Sequence, residues 1–203
     1  MKNKIYTAGM AIVALTALAF TAPKSNNAAT TFVADATKTT IAWVGKKVTG
    51  AHDGNIKLSK GTISTDGKTV SAGNFEIDMT SITCKDLTDA EYNGKLVGHL
   101  KNEDFFATEK FPKANFVMKS AVAKGNDVYD MTGDLTIKGI TKAVTFPATV
   151  KVVGKSLTAV AKIVVDRTAY DIKYGSGSFF DNLGDKAIDN NFILDVNLVA
   201  AAK

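Results

Sequence analysis

From about Thr40 onward the chain is a succession of short segments in which apolar and polar residues alternate, separated by glycine-bearing turns. A period of two sends successive side chains to opposite faces of a strand, so each segment has one face to bury and one to leave in water. Asn55-Ile56-Lys57-Leu58-Ser59 alternates strictly. So does 74–79, which puts Phe75, Ile77 and Met79 on one face and Glu76 and Asp78 on the other. Thr40-Ile41-Ala42-Trp43-Val44 is β-branched and aromatic, a composition that suits a pleated, half-buried surface. Further strands are predicted over 114–122, 128–137, 143–153 and 157–166, with turns at Gly125-Asn126, near Gly139 and at Gly154-Lys155. After an irregular stretch rich in Gly and aromatics, 170–184, alternation returns over 191–199.

One interval breaks this rhythm. In 87–101, Tyr92, Leu96 and Leu100 recur every fourth residue, and Thr88 with Glu91 reads as a capping box. A short helix is predicted there, weakened by Gly94 and Gly98. The following loop carries Phe105, Phe106 and Phe111. Such a cluster suits a hydrophobic lip over a barrel mouth or a plug in its end; the plug avoids exposing three rings. About eight antiparallel strands and one helix fit a closed barrel, which has no free edges and can enclose a ligand. They also fit two sheets packed solid against each other, and alternation alone does not choose.

The start of the chain reads differently. Lys2 and Lys4 precede Ile5 to Phe20, an uncharged, mostly apolar run of 16 residues, and small residues follow at Ala19, Thr21 and Ala22. This is the pattern of a secretory signal over 1–22, shorter than the roughly 18 or more residues of a membrane span. A retained anchor is the competing reading. Residues 23–37 are small and polar, as in a linker, and 38–200 form the expected barrel. The mature protein is then expected to be periplasmic or secreted, without an integral membrane span.

Charge and rare residues narrow the function. The formal net charge is +5. Removing Lys2 and Lys4 leaves 23 basic residues against 20 acids, a net +3. That is too weak and dispersed for nucleic acid, which needs a concentrated basic stripe. Arg167 is the single arginine. Cys84 is the only cysteine, which excludes an intramolecular disulfide and sites built on several thiolates. The two histidines, His52 and His99, lie 47 residues apart with no HxH or HExxH partner, so no metal is expected. Gly175-Ser176-Gly177-Ser178 lacks the Gly-Lys-Ser/Thr of a phosphate loop, and no Gly-x-Ser-x-Gly elbow occurs. No cofactor is expected.

Four stretches in order resemble the YceI family of secreted, lipocalin-like proteins. They are His99-Leu100-Lys101-Asn102-Glu103-Asp104-Phe105-Phe106; Lys110-Phe111-Pro112-Lys113-Ala114-Asn115-Phe116; Thr132-Gly133-Asp134-Leu135-Thr136-Ile137-Lys138-Gly139-Ile140-Thr141-Lys142; and Asp166-Arg167-Thr168-Ala169-Tyr170, followed by Leu183-Gly184-Asp185. The resemblance covers about Lys38 to Leu198; Ala143 departs from it, since many relatives carry Pro there. It implies an extended eight-stranded antiparallel barrel with one short helix and an apolar interior that holds a long isoprenoid or similar lipid. It brings no catalytic residues.

Alternation nominates Trp43, Phe75, Ile77, Met79, Phe116, Met118, Ile163 and Val165 for the lining, and the helix, the Phe-rich loop and the 170–184 stretch add Leu100, Phe105, Phe106 and Tyr170. Each fits an ordinary core equally well, because alternation shows a buried face and not what fills it. Met79 and Met118 favour a pocket, since thioethers adapt to irregular ligands. Ten buried methylenes would yield roughly 8 kcal/mol gross, before several are lost to ordering and association. Arg167 is a head-group candidate through bidentate bonding to phosphate or carboxylate, although pairing within the protein or stacking on Trp43 competes. His99 is expected to be hydrogen-bonded at the helix end. Competing functions are an envelope stress or structural protein with a filled core, and a lipid-modifying enzyme using Asp78, Glu91, His99 or Asp104. A homodimer paired along a barrel face is compatible with the sequence.

Overall fold

The computed structural model describes residues 29–67 and 69–203. Lys2, Lys4 and the signal-like run lie outside the described residues. Among the described residues there are nine strands and one α-helix. The strands are β1 (Thr30–Ala34), β2 (Thr40–Lys47), β3 (Gly50–Thr65), β4 (Val70–Cys84), β5 (Lys113–Gly125), β6 (Val128–Ile137), β7 (Ile140–Val153), β8 (Ser156–Asp166) and β9 (Ile188–Ala202); helix α1 is Ala90–Lys101.

All pairings are antiparallel, and the sheet closes on itself because β3 pairs with both β2 and β4. The closed barrel, not the two-sheet alternative, is therefore the architecture. It has eight places around its wall. β1 and β2 occupy one place in series: β1 lies between the far ends of β3 and β9, and β2 lies between their near ends. The break between them is a turn at Asp35, whose carboxylate accepts from Thr37 N at 3.0 Å and from Thr37 Oγ1 at 2.6 Å, and pairs with Lys38 Nζ at 2.9 Å.

β1 corrects the reading of 23–37 as linker. Thr30–Ala34 is short and half polar, so it lacks a strand pattern of its own, but Phe32 is 1% exposed and closes one end of the barrel. The other strands overrun their alternating cores. β3 and β4 reach 16 and 15 residues because register shifts, as at Leu58/Lys60, let strict alternation lapse without ending the strand. The hairpin turns fall on the expected residues. Lys138 and Gly139 both have positive φ (50° and 73°), the conformation that suits a two-residue hairpin.

The helix begins one residue later than the Thr88 capping box predicts, at Ala90. Asp89, not Thr88, is the N-cap; its carboxylate accepts from the N–H groups of Glu91 and Tyr92, each at 3.0 Å. Asp out-competes the neighbouring Thr because an ionised oxygen is the stronger acceptor for orphan helix amides.

Two ends of the barrel differ. At one, Phe32, Ile63, Val70, Leu157 and Ala200 are buried and fill the interior. At the other, α1, the 102–112 loop and the β2–β3 hairpin gather over the opening. The wall is also uneven along β7. β7 pairs with β8 only from Ala148 onward. Pro147 has no N–H to give, and the ladder stops there. A 3₁₀ turn, Arg167–Tyr170, packs against β7 and β9 beyond that point.

Candidate functional site

The interior is built from side chains that point inward at every second residue, with an adjustment that keeps it hollow. Trp43 lies opposite Gly54, and Phe75 opposite Gly61. The Phe116 ring reaches the space beside Gly133, where an added Cβ would meet its Cζ at 2.5 Å. At Gly54 and Gly61 an added Cβ would likewise overlap the Trp43 and Phe75 rings. Each large ring thus lies over a neighbouring backbone that lacks a side chain, and its bulk runs along the wall. Trp43 is further fixed by Nε1 donating to Thr83 O at 3.0 Å.

The result is a cavity of about 290 Å³ whose walls are almost wholly apolar. It stands near the lower edge of small-molecule pockets, ~300–1,000 Å³. Of the nominated lining, Trp43, Phe75, Ile77, Met79, Leu100, Phe105, Phe106, Phe116, Met118 and Ile163 border it. Val165 and Tyr170 do not. Both are 1% exposed and pack where β8 and the 3₁₀ turn leave β7, so they are core rather than cavity wall. Alternation gave Val165 the right face but could not show that it is covered by its own neighbours; Tyr170 stands outside the alternating segments, in the 3₁₀ turn.

Sequence reasoning missed other walls. Phe192, Leu194 and Val196 border the cavity from β9, and Leu135 and Phe146 from β6 and β7. Their own alternation was a usable signal. Phe105 and Phe106 serve as neither an exposed lip nor a full plug: they cap the cavity from one side, with Phe106 T-shaped on Phe192 at 6.1 Å. Phe111 lies apart, against Gly139 in the β6–β7 turn.

Polar wall residues, apart from Thr39, concentrate at the helix end: Lys46, Lys47, His52, Arg167, Asp189 and Asn191. Arg167 is 4% exposed and spends its donors on the backbone. Nε donates to Asp189 O at 2.9 Å, Nη1 to Ile172 O at 2.8 Å and Nη2 to Ile188 O at 3.0 Å. Burial lowers its pKa, with Asp166 and Asp189 opposing. The guanidinium therefore staples the loop to β9; it does not stack on Trp43, whose indole is turned to Thr83.

The fold makes two His–carboxylate pairs that spacing concealed. His52 Nδ1 lies 2.8 Å from Asp86 Oδ2, and His99 Nε2 lies 3.0 Å from Asp104 Oδ2. Asp86 also accepts from Asp53 N at 2.9 Å and from the Cys84 thiol at 3.2 Å. Burial pushes its pKa up, but these donors and the His52 ring outweigh that and hold it at about 2, below the ordinary 3.8. Cys84 is itself pushed up, chiefly by burial, which disfavours a thiolate nucleophile. His99 stands between Phe105 and Tyr174, at 4.9 and 4.6 Å, and is not part of the cavity wall. Ser176 is fully buried and donates to Asn190 Oδ1 at 2.7 Å, so the Gly-Ser stretch is locked into the loop. Among the described residues no three His, Cys, Asp or Glu side chains gather as metal ligands, and no helix is long and apolar enough to cross a membrane.

Comparison with known proteins follows this geometry. The chain is 40% identical over 95 residues to a UPF0312 protein of Shewanella denitrificans and 38% identical over 104 residues to protein YceI of Escherichia coli. These alignments cover 47% and 50% of this chain, and the chain spans about half the length of either relative, 47% and 49%. Among solved structures, Burkholderia cenocepacia BcnA superposes with a TM-score of 0.67 at 27% identity, over 83% of this chain and 99% of that one. A polyisoprenoid-binding domain from Saccharophagus degradans, described as implicated in plant cell wall breakdown, gives 0.64 at 18% identity, over 85% and 98%. That second likeness is one of fold. The YceI-like domain model matches residues 32–200, nearly the whole barrel from β1 to β9, and the chain accordingly belongs to the YceI-like family.

Proposed function

We propose that this protein binds a long apolar ligand, a polyisoprenoid or fatty-acyl lipid, inside the barrel, and sequesters or carries it in the periplasm or outside the cell without a chemical step. The observation that carries this reading is the cavity: about 290 Å³ of apolar-walled space within a barrel whose other end is filled. Emptying water from such walls and replacing it with a hydrocarbon chain is favourable by about 0.8 kcal/mol per methylene. The polyisoprenoid binding ascribed to the Saccharophagus domain supports the choice of ligand class. Sequestration without turnover accords with the inner wall, whose titratable groups are confined to the rim, where His52 is held by Asp86 and Arg167 by backbone carbonyls.

The test is organic extraction of the protein purified from its native compartment, followed by mass spectrometry. A lipid at about one per protein is the expected result. Repeated absence of lipid, together with failure of added long-chain lipids to change the fluorescence of Trp43, the single tryptophan, would overturn the proposal.

A further inference from the structure

Two lysines on the cavity rim have no partner among the described residues. Lys46 and Lys47 end β2, and neither is in an ion pair or side-chain hydrogen bond; Lys57, Lys142 and Lys151 on β3 and β7 also lack an ion pair, but only Lys46 and Lys47 of these border the cavity. Alternation accounts for one of them: Ile41, Trp43, Gly45 and Lys47 share the inward face. Lys46 should then point away. It borders the cavity all the same, beside a bulge in β9: Gly45 faces Phe192 but Lys47 faces Ile188, so one residue of β2 stands against three of β9. The other basic groups on this rim are engaged. His52 is held by Asp86 and Arg167 by three carbonyls, one of them that of Asp189. The two ammonium groups are thus the uncompensated charge where an otherwise apolar cavity meets water.

We infer that Lys46 and Lys47 together recognise an anionic head group, phosphate or carboxylate, on a lipid whose chain occupies the cavity. This rests on the proposed lipid binding and goes further by naming the charge of the ligand and the residues that read it. A neutral lipid would leave both cations unanswered. An anionic one gains two charge-assisted contacts without burying an unpaired charge, since the rim stays wet.

The experiment is a set of titrations followed by Trp43 fluorescence with matched lipids: geranylgeranyl monophosphate against geranylgeraniol, and palmitate against hexadecanol. At low salt each anion is expected to bind about five- to tenfold tighter than its alcohol, the gain of two exposed ion pairs. At high salt the preference should shrink toward unity. The double variant Lys46→Gln/Lys47→Gln is expected to lose the preference and keep the affinity for the alcohols. Lys46→Arg/Lys47→Arg should retain it, and thermal melting verifies that both variants fold. Inorganic phosphate should neither change the signal nor compete, because without a chain it has no hold. Equal affinities for anion and alcohol, a preference that survives in the glutamine variant, or full competition by inorganic phosphate would overturn the inference while leaving lipid binding intact. Failure of all four lipids to bind would overturn lipid binding itself and the inference with it.

Discussion

At the scale of single residues, Asp86 is a carboxylate whose partners come from distant parts of the chain. It gathers the Asp53 amide, the His52 ring and the Cys84 thiol, and so ties the end of β4 to the start of β3. Its pKa of about 2 when folded lies below the ordinary 3.8, so the folded state binds this proton less readily than the unfolded chain. The stabilisation it provides is present above pH ~4 and is lost as pH falls from there through about 2. Thermal melting across that window should show wild type losing stability more steeply than Asp86→Asn, with the variant already less stable at pH 7. Parallel curves would remove Asp86 from the account. None of this was legible in the sequence. Asp86 lies 34 residues from His52, and only the register of β3 against β4, with Gly54 opposite Cys84, brings the two together. Arg167 teaches the converse. Its rarity drew attention to it correctly, but a lone guanidinium suits a head group or three backbone carbonyls equally well until the loop around it is seen.

At the scale of elements, the strands were readable wherever one face was apolar and the other polar. What escaped was β1, whose contribution is one buried Phe, and the length of β3 and β4, where bulges interrupt the period. The pairing of aromatic rings with glycines across strands was also hidden, because it joins residues that only register makes neighbours. Gly54 is the most constrained of these: an added Cβ would overlap both the Trp43 ring and the Thr83 carbonyl. Gly54→Ala is therefore expected to destabilise the protein by about 2–4 kcal/mol, in the range of overpacking that also disturbs a ladder. It should also shift Trp43 emission, because the indole loses its place and its hydrogen bond to Thr83. Gly45→Ala, with nothing within 4 Å of its added Cβ, is the control and should leave both readouts close to wild type. Urea unfolding followed by fluorescence measures the two effects at once.

At the scale of the whole molecule, the barrel is a container with one filled end and one charged rim. The proposed role as a container is tested by filling it. Ala161 borders the cavity from β8, and Ala161→Trp would place an indole in the space assigned to the ligand. Lipid binding is expected to fall by at least about tenfold while the melting temperature holds or rises, since burying apolar surface in a void stabilises the fold. Loss of stability together with unchanged binding would show that the ligand lies elsewhere. The sequence by itself determined the repeating two-residue period, the turn positions, the helix after Asp89 and the faces that must leave water, because these are local consequences of side-chain order and backbone sterics. Whether those faces meet across a solid core or enclose a cavity, which of them stop at the filled end, and which lysines stand at the rim were decided only by the tertiary structure. Closure, register and bulges set the distances between residues far apart in the chain, and a local pattern contains no information about those distances.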